Sequence, residues 1–383
     1  MNDINLLLSK NEGCGAKIKL VKYGLVVINI KDAEINLQSI YKICLSINDI
    51  RTRYQRVLPN VVIEFSGEYF AFADKLTWTL LECICYESIT KHDQTIMIVF
   101  SGKYKRRILN EKCIEESPLR NLGYGNCNVN YFLSEFRSFY RPDRFGRLIK
   151  ESQNRNEELV SATASDVRTF FNLYDIDENF STELTAVISE LVGNAIEHAL
   201  ADCLVDIDIS DNYSNVNNQD CIGLNVAIVN FSSVGIGDAL KKKITGEVQL
   251  PIRYQNVQNA YENHKQEFSL DYTENDFYMI AAFQQGISGR DNIWKTGGMG
   301  LTKLITKLEM KADLHHCYML AGERCLRFSP ECVAYNKDGW IGFNKENDFL
   351  SKPPSSSILM KAPIYMPGTA YNLNFIVLRE TRQ

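Results

Sequence analysis

Along the first third of the chain, short windows dominated by apolar residues alternate with longer windows in which apolar residues recur at helical spacing. KIKLVKYGLVVINI at 17–30 and NVVIEFS at 60–66 predict β-strands, because branched and aromatic residues dominate them. TIMIVF at 95–100 is typical of an apolar strand in a sheet covered on both faces. Two windows with apolar side chains at helical spacing lie between these strands, at 37–55 and 72–88. The alternation predicts a small α/β domain over residues 1–135.

A charged segment at 136–160 follows, and its pattern predicts a helical connector entered through Pro142. Four arginines are interleaved there with three aromatic residues: Arg137, Arg141, Arg144 and Arg147 with Phe139, Tyr140 and Phe145. Such a composition can grip phosphates and stack bases. It also suits a solvated linker whose rings dock on a neighbouring domain, and this interpretation is favoured, with nucleic acid kept as the weaker alternative.

Residues 161–383 predict a second domain that mixes helices and strands. Ser165 and Ser181 are candidate N-caps of two helices, the second of which contains ISELVGNAIEHAL at 188–200. LVDIDIS and GLNVAIVNF predict an antiparallel hairpin. Further strands are expected at 314–320, at 324–329 and in the final PGTAYNLNFIVL. The fold class expected for the chain is α/β (α+β), in two domains.

Composition narrows the class of protein. The 383 residues are 45% hydrophobic and 23% charged, and a formal net charge of -5 gives no global basic field for nucleic acid or an anionic membrane. No apolar run approaches the roughly 20 residues that cross a bilayer, and no basic stretch precedes an apolar one at the N-terminus. The eleven cysteines include no CxxC pair, which favours buried thiols over zinc ligands. We therefore expect a cytoplasmic protein without membrane contact.

The helix at 188–200 carries an unusual polar stripe. Its apolar face is formed by Leu184, Val187, Ile188, Leu191, Val192 and Ala195. Glu190 and Asn194 lie together on the flank of that face, where a carboxylate is half sheltered and both side chains can address one ligand. Taken alone, such a stripe is more often a solvated helix edge. His198, one turn further on, is expected to pack or cap.

A glycine-rich turn in GGMGL supplies the second signal. Gly297, Gly298 and Gly300 let the backbone approach an anion, and the helix that starts near Leu301 presents free N–H groups and a positive dipole end. This combination predicts a phosphate site, although neither the P-loop nor the Rossmann spacing is present.

The order of these motifs resembles that of the Bergerat-fold (GHKL, histidine-kinase-like) ATP-binding domain. ELVGNAIEHA is followed by a strand leading into NFSSVGIG, then by GGMGL and by a terminal strand with PGT. Histidine kinases, anti-sigma-factor kinases, type II topoisomerases and mismatch-repair ATPases share this domain. The resemblance covers about residues 160–380 and implies an α/β sandwich whose mixed sheet carries helices on one face.

The resemblance implies ATP and Mg²⁺ as cofactors. Asn194 would bind Mg²⁺, and Glu190 would be the general base that orients water or a substrate hydroxyl. Further nucleotide contacts are implied for the phosphates at Gly297, Gly298, Met299, Gly300 and Leu301, for the γ-phosphate at Ser288, Arg290 and Lys295, and beneath the adenine at Thr369.

One position departs from the family. The family recognises adenine with an Asp in DxGxG, whereas Ser233 stands at that position here, before Gly235 and Gly237. Asn230 ends the preceding strand. Either Ser233 or Asn230 can accept a hydrogen bond from the adenine amino group, but neither carries the charge, so base selectivity stays open.

Residues 1–135 resemble, more loosely, the STAS-like fold of anti-sigma-factor antagonists. The phosphorylated serine of that family would fall in FAFADK, where Ala71, Ala73 and Asp74 stand, so a serine phosphoswitch is not expected. This domain is the expected docking site for a protein partner or a second copy of the chain.

Three functions follow. The first is a cytoplasmic Mg-ATP-binding ATPase whose lid, at 232–296, is ordered by nucleotide and controls partner binding or oligomerisation in a regulatory or defence role. The second is an anti-sigma-factor-like serine/threonine protein kinase. The third is a catalytically inactive nucleotide-binding scaffold, which the missing Asp favours. ATP and ADP are the expected small-molecule partners in all three.

Overall fold

The computed structural model describes most of the chain. It covers residues 4–11, 15–21, 24–67, 71–101, 117–150, 158–174, 176–197, 199–214, 220–246, 249–289, 300–311 and 317–378. Its helices are α1 Ile4–Ser9, α2 Leu37–Arg53, α3 Lys75–His92, α4 Val129–Arg137, α5 Glu158–Phe171, α6 Glu178–Glu197, α7 Asp238–Gly246, α8 Ile252–His264, α9 Glu274–Ala281 and α10 Gly300–Lys311. Within these ranges no helix is both long and apolar enough to span a membrane.

Twelve strands in the described ranges form the sheets. They are β1 Lys17–Val21, β2 Leu25–Ile30, β3 Glu34–Ile35, β4 Asn60–Phe65, β5 Ala71–Phe72, β6 Ile96–Phe100, β7 Ser138–Arg141, β8 Arg144–Ile149, β9 Cys203–Ser214, β10 Asp220–Asn230, β11 Tyr318–Arg327 and β12 Leu359–Leu378. A four-stranded sheet has the order β1-β2-β4-β6, a six-stranded sheet has the order β11-β12-β10-β9-β8-β7, and β3 pairs with β5. The expected α+β class is confirmed.

The pairing within the larger sheet differs from the expectation. Every pair in the six-stranded sheet is antiparallel, so this sheet is not mixed. Mixed pairing occurs instead in the N-terminal sheet, where β1 is antiparallel to β2 and the other pairs are parallel. The physical reason is that β7–β8 and β9–β10 are sequence-adjacent strands, and only an antiparallel pair can be joined by a short connection. Within the described residues, the strands expected at 314–320 and 324–329 belong to one strand, β11, and residues 314–316 lie outside the described ranges.

The helical connector expected at 136–160 is wrong over residues 138–149, and residues 151–157 lie outside the described ranges. Residues 138–149 form the β7–β8 hairpin, which turns at Pro142 and adds to the edge of β9. Pro142 cannot continue a helix, and Phe139 of β7 and Phe145 of β8 are both buried in the hairpin, so the extended backbone is favoured.

Three of the four arginines of this segment are paired with carboxylates or buried within the fold. Arg141 pairs with Glu135 at 3.3 Å, Arg147 pairs with Asp166, and Arg144 is buried. Carboxylates therefore neutralise three of the four cations that suggested a phosphate-gripping surface.

Both serine caps are also wrong. Ser165 lies inside α5, and Ser181 is buried in the first turn of α6. Asp177 precedes α6 instead, and its side chain accepts a hydrogen bond from the backbone N–H of Phe180 at 2.7 Å. A carboxylate accepts a hydrogen bond from an N–H group of the first turn and also interacts favourably with the positive end of the helix dipole. This explains why α6 begins directly after Asp177 and not after Ser181.

Much of the stretch expected to be a lid, 232–296, is a packed helical unit. Tyr254, Val257 and Phe277 of α8 and α9 are buried in the main core. Arg253 of α8 donates to the carbonyl oxygens of Asp338 and Gly339 at 2.9 and 2.8 Å, and so fastens α8 to the segment between β11 and β12. Residues 290–296 lie outside the described ranges.

Helices cover both faces of the six-stranded sheet. α5, α6 and α10 pack on one face, where Ile228 and Tyr371 belong to the main core. The neighbouring residues Val229 and Ala370 point to the other face, which packs against α1–α4 in a second core continuous with the N-terminal sheet. The expectation of helices on one face therefore holds only for the C-terminal residues, because the N-terminal helices cover the other.

A buried set of charges joins these two parts. Arg144 Nη2 lies 2.7 Å from Glu82 Oε1 and 2.6 Å from Asp206 Oδ2. Lys75 Nζ lies 3.0 Å from a carboxylate oxygen of Asp206 and 3.0 Å from one of Asp208. The side chains of Arg144, Glu82, Asp206 and Lys75 are each at most 3% exposed. The name buried charge network is used below for these four residues together with Asp208.

Hydroxyl groups complete the network. Ser117 donates to Glu82 at 2.6 Å, and Thr79 donates to Asp206 at 3.0 Å. Burial by itself raises the pKa of Asp206, but the charges of Arg144 and Lys75 outweigh it and hold that pKa below its usual range. The Asp206 carboxylate is therefore ionised in the folded protein, and its neutralisation depends on the two cations staying in place.

Replacing Arg144 with Met should destabilise the protein by about 3–5 kcal/mol, because it leaves buried carboxylates without their cation. The matched control is Arg141→Met, at the other side of the same turn, where a half-exposed pair with Glu135 contributes under about 1 kcal/mol. Urea denaturation at neutral pH measures both. Equal losses for the two variants would contradict the assignment of the network.

Candidate functional site

A cavity opens between α6, the end of β10, the middle of β12, the first turn of α10 and the residues around 234–240 and 282–289. Its empty space measures about 880 Å³, counting the part that is open to solvent. Seven of the residues selected from the sequence line it: Glu190, Asn194, Asn230, Gly235, Ser288, Leu301 and Thr369. Five separate stretches of the chain therefore meet at one cavity.

Other selected residues lie elsewhere. Ser233 and Gly237 line a neighbouring cavity, which meets the first at residues 234–236. Gly300 begins α10. Six further residues lie outside the described ranges: His198, Arg290, Lys295, Gly297, Gly298 and Met299.

Glu190 and Asn194 lie one turn apart on α6. The apolar face of that helix is buried in the main core, with Val187, Ile188 and Leu191 at most 3% exposed. Glu190 and Asn194 flank this face, are half-buried and line the cavity, as the helical spacing predicts. A carboxylate and a carboxamide oxygen are thus presented to the same space.

Asn230 and Thr369 meet at the junction of β10 and β12, where they are register partners. Asn230 Nδ2 donates to Thr369 Oγ1 at 2.5 Å, and the backbone N–H of Thr369 donates to Asn230 Oδ1 at 3.3 Å. Both residues are buried, so their pairing avoids leaving amide and hydroxyl groups unsatisfied. Of the two residues that could replace the Asp of DxGxG, only Asn230 lines this cavity, since Ser233 lines the other.

The acid nearest to that motif is Asp238, directly after Gly237. Its Oδ2 atom accepts the backbone N–H of Gly235 at 2.7 Å, at the start of α7. Asp238 lines the neighbouring cavity and shapes the loop. It therefore does not take the place of the missing Asp.

The backbone at Ser288 and Gly289, on the opposite wall of the cavity, is held by contacts on two sides. The Tyr254 hydroxyl donates to the Ser288 carbonyl at 2.9 Å and accepts from the Ser288 N–H at 3.0 Å. A Cβ atom at Gly289 would lie 2.6 Å from Ala239 Cβ, so this backbone packs directly on α7. Ser288 thus reaches the cavity from a backbone fixed on two sides.

Tyr371 also lines the cavity and was missed from the sequence. It stands two residues after Thr369 on β12, so both side chains point to the same face of the sheet. Burial raises the pKa of its phenol, and a hydrogen bond with the Thr369 hydroxyl opposes part of that rise. Strand alternation from Thr369 is the signal that would have found it.

Gly368 sets the distance between the two strands at the site. A Cβ atom there would lie 2.5 Å from both the backbone and the side-chain oxygen of Asn230, and its φ is +80°. We expect Gly368→Ala to cost about 1–2 kcal/mol for the left-handed backbone and about 1–3 kcal/mol more for the clash.

Gly322→Ala is the matched control, because Gly322 has a φ of +56° but nothing within 4 Å of the added Cβ. Chemical denaturation of both variants separates backbone strain from crowding. A Gly368 variant no less stable than the Gly322 variant would show that β10 and β12 are not in close contact here.

Comparison with protein-family models, with curated proteins and with solved structures found no match. What supports a functional site is the meeting of polar side chains from α6, β10 and β12 in one cavity. Their chemistry combines a carboxylate, two carboxamides, a hydroxyl and a phenol, next to the first residues of a helix.

Proposed function

We propose that this cavity binds a nucleotide with Mg²⁺, and that the protein is an ATPase. One observation carries the proposal: Glu190 and Asn194 share a cavity with the Asn230–Thr369 pair and with Leu301 in the first turn of α10. Such sites are concave and largely apolar, with a few convergent polar groups.

The start of α10 supports binding of the phosphates. This helix runs from Gly300 to Lys311, and the positive end of its dipole favours an anion at its N-terminus. Asn194 offers a neutral oxygen ligand from the neighbouring helix, and Mg²⁺ accepts few protein ligands because it keeps several waters. Phosphate oxygens and water would complete the coordination.

Glu190 is the proposed general base. It lies one turn before Asn194 on the same face of α6, so a water bound near the metal falls within its reach. Its side chain is half-buried and lines the cavity. Bound Mg²⁺ would neutralise charge on the phosphates while the carboxylate takes the proton of the attacking water.

The same sheet offers a connection from nucleotide to partner. Thr369 lines the cavity, whereas the adjacent Ala370 packs against the N-terminal helices. Leu76 of α3 donates its backbone N–H to Asn372 Oδ1 at 3.0 Å, on the same strand. We propose that occupancy is sensed through β12 by the STAS-like half, where a protein partner or a second copy docks, in a cytoplasmic regulatory or defence role.

Isothermal titration calorimetry with ATP, ADP and GTP in Mg²⁺ tests nucleotide binding. We expect ATP to bind, and Asn194→Ala to weaken ATP binding in Mg²⁺ about tenfold, or ~1.4 kcal/mol, with little change when EDTA replaces the metal. Glu197→Ala, an exposed change on the same helix, should leave binding unaltered. No heat with any nucleotide would reject the proposal.

Glu190→Gln should remove turnover while preserving binding. The amide keeps the shape of the side chain but cannot take a proton, so we expect kcat for ATP hydrolysis to fall by about 100-fold or more. Affinity for ATP should change little. Glu183→Gln, exposed on α6, is the control. Undiminished phosphate release by the Glu190 variant would exclude it as the base, and phosphate appearing on added protein would favour the kinase.

A further inference from the structure

The backbone of Ser288 is held by one side chain of α8. The Tyr254 hydroxyl donates its proton to the Ser288 carbonyl oxygen at 2.9 Å and accepts the Ser288 N–H group at 3.0 Å. Both hydrogen-bonding groups of one residue's backbone are therefore satisfied by a single hydroxyl. Tyr254 is 2% exposed and belongs to the main core, so its ring cannot follow a displaced backbone. The position of Ser288 is thus set by Tyr254.

The stretch just before this anchor is fixed to the segment between β11 and β12. The Gln284 side-chain amide donates to the Ile341 carbonyl oxygen and accepts the Ile341 N–H group, at 3.0 and 2.8 Å. Arg253 donates to the Gln285 carbonyl oxygen from the first turn of α8. Gln284 is 1% exposed, so its two bonds are shielded from water. The wall is anchored at two points, and Tyr254 supplies the one at the cavity.

The wall that contains Ser288 lies opposite the proposed catalytic groups. Glu190 and Asn194 line the cavity from α6, whereas Ser288 and Gly289 line it from the other side. In ATP hydrolysis, water attacks the terminal phosphorus, Glu190 takes the proton of that water, and the bond to the leaving ADP oxygen breaks. The terminal phosphate must then lie between the base and the opposite wall. A hydroxyl and an N–H group on that wall stabilise the charge on its oxygens.

We infer that Tyr254 is a positioning residue for phosphoryl transfer, which holds Ser288 against the terminal phosphate. The inference rests on the proposed ATPase function and names a control of the same site. Within the described part of the chain, the residues that line the cavity do not include Tyr254. Its influence on the nucleotide therefore passes through Ser288.

The position of this wall matters more for the transfer step than for binding. ATP binding is shared among metal, phosphate and base contacts, so one displaced donor leaves most of the affinity intact. The transfer step needs the donor where charge develops, and a misplacement of about 1 Å costs about 100-fold in rate. Tyr254→Phe keeps the ring in the core and removes only the hydroxyl. The backbone groups of Ser288 then need other partners, and the wall shifts.

The experiment measures kcat for ATP hydrolysis and Kd for ATP on full-length variants. In Tyr254→Phe we expect kcat to fall by about 10–100-fold while Kd changes by less than about threefold. Tyr335→Phe is the matched control, because the Tyr335 hydroxyl donates to the Phe283 carbonyl oxygen at 2.6 Å. Among the described residues, Phe283 belongs to the main core and not to the cavity lining. This control should keep kcat within about twofold of wild type.

A double-mutant cycle distinguishes positioning from general damage to the fold. Ser288→Ala should itself lower kcat by about 10–100-fold, the usual effect of removing one donor to a transition state. Adding Tyr254→Phe should then lower kcat by less than about twofold, because the hydroxyl that Tyr254 positions is already gone. A variant that merely loosens the fold would instead reduce kcat by the same factor in both backgrounds.

The outcomes separate the positioning role from the proposed function. An additive loss in the double variant, an undiminished kcat in either single variant, or a loss of ATP affinity as large as the loss of kcat would overturn the inference. Equal losses of kcat in Tyr254→Phe and Tyr335→Phe would overturn it as well. Wild-type protein that fails to bind or hydrolyse ATP would reject the proposed function itself, and the positioning role with it.

Discussion

The ion pairs around Arg144 are the interaction on which the rest of the structure depends. Four charged side chains from α3, β8 and β9 are almost fully removed from water, and their desolvation is offset only when all are in place. The network therefore fixes α3 across the six-stranded sheet and holds the β7–β8 hairpin at its edge. With one face of the sheet closed in this way, the opposite face receives α5 and α6 and forms the cavity.

β12 has side chains on both faces of the six-stranded sheet and so connects the cavity with the N-terminal half. Thr369 and Tyr371 enter the cavity, while Ala370 and Asn372 contact the N-terminal half. Because alternate residues of a strand point to opposite faces, a shift of the backbone at the cavity is a shift at the second interface as well. Gly368 brings β10 and β12 close enough for Asn230 and Thr369 to pair, which makes the site part of the sheet rather than of a loop.

Local patterns in the sequence predicted the elements that depend on local physics. The strands at 60–66 and 95–100 and the helix over 37–55 follow from branched residues and from helical spacing, which act within a few residues. Helical geometry also placed Glu190 and Asn194 on one flank of α6. Within the helical connector expected at 136–160, residues 138–149 form a hairpin instead, because sheet pairing with β9 outweighs the local preference and the chain turns at Pro142. Ser165 is not an N-cap, because α5 begins at Glu158 and Ser165 therefore lies in the interior of that helix.

The sequence by itself determined which side chains exist and how they are spaced along each element: the stripe of Glu190 and Asn194, the glycines that precede α10 in the chain and the alternation in β12. Only the tertiary structure decided which of them meet. In the folded chain Ser233 lines a neighbouring cavity, Asn230 lies beside Thr369, and Tyr371 lines the same cavity as both. The physical reason is that spacing fixes the face on which a side chain lies, whereas the register between distant strands and the burial of charges such as Arg144 fix what that face contacts.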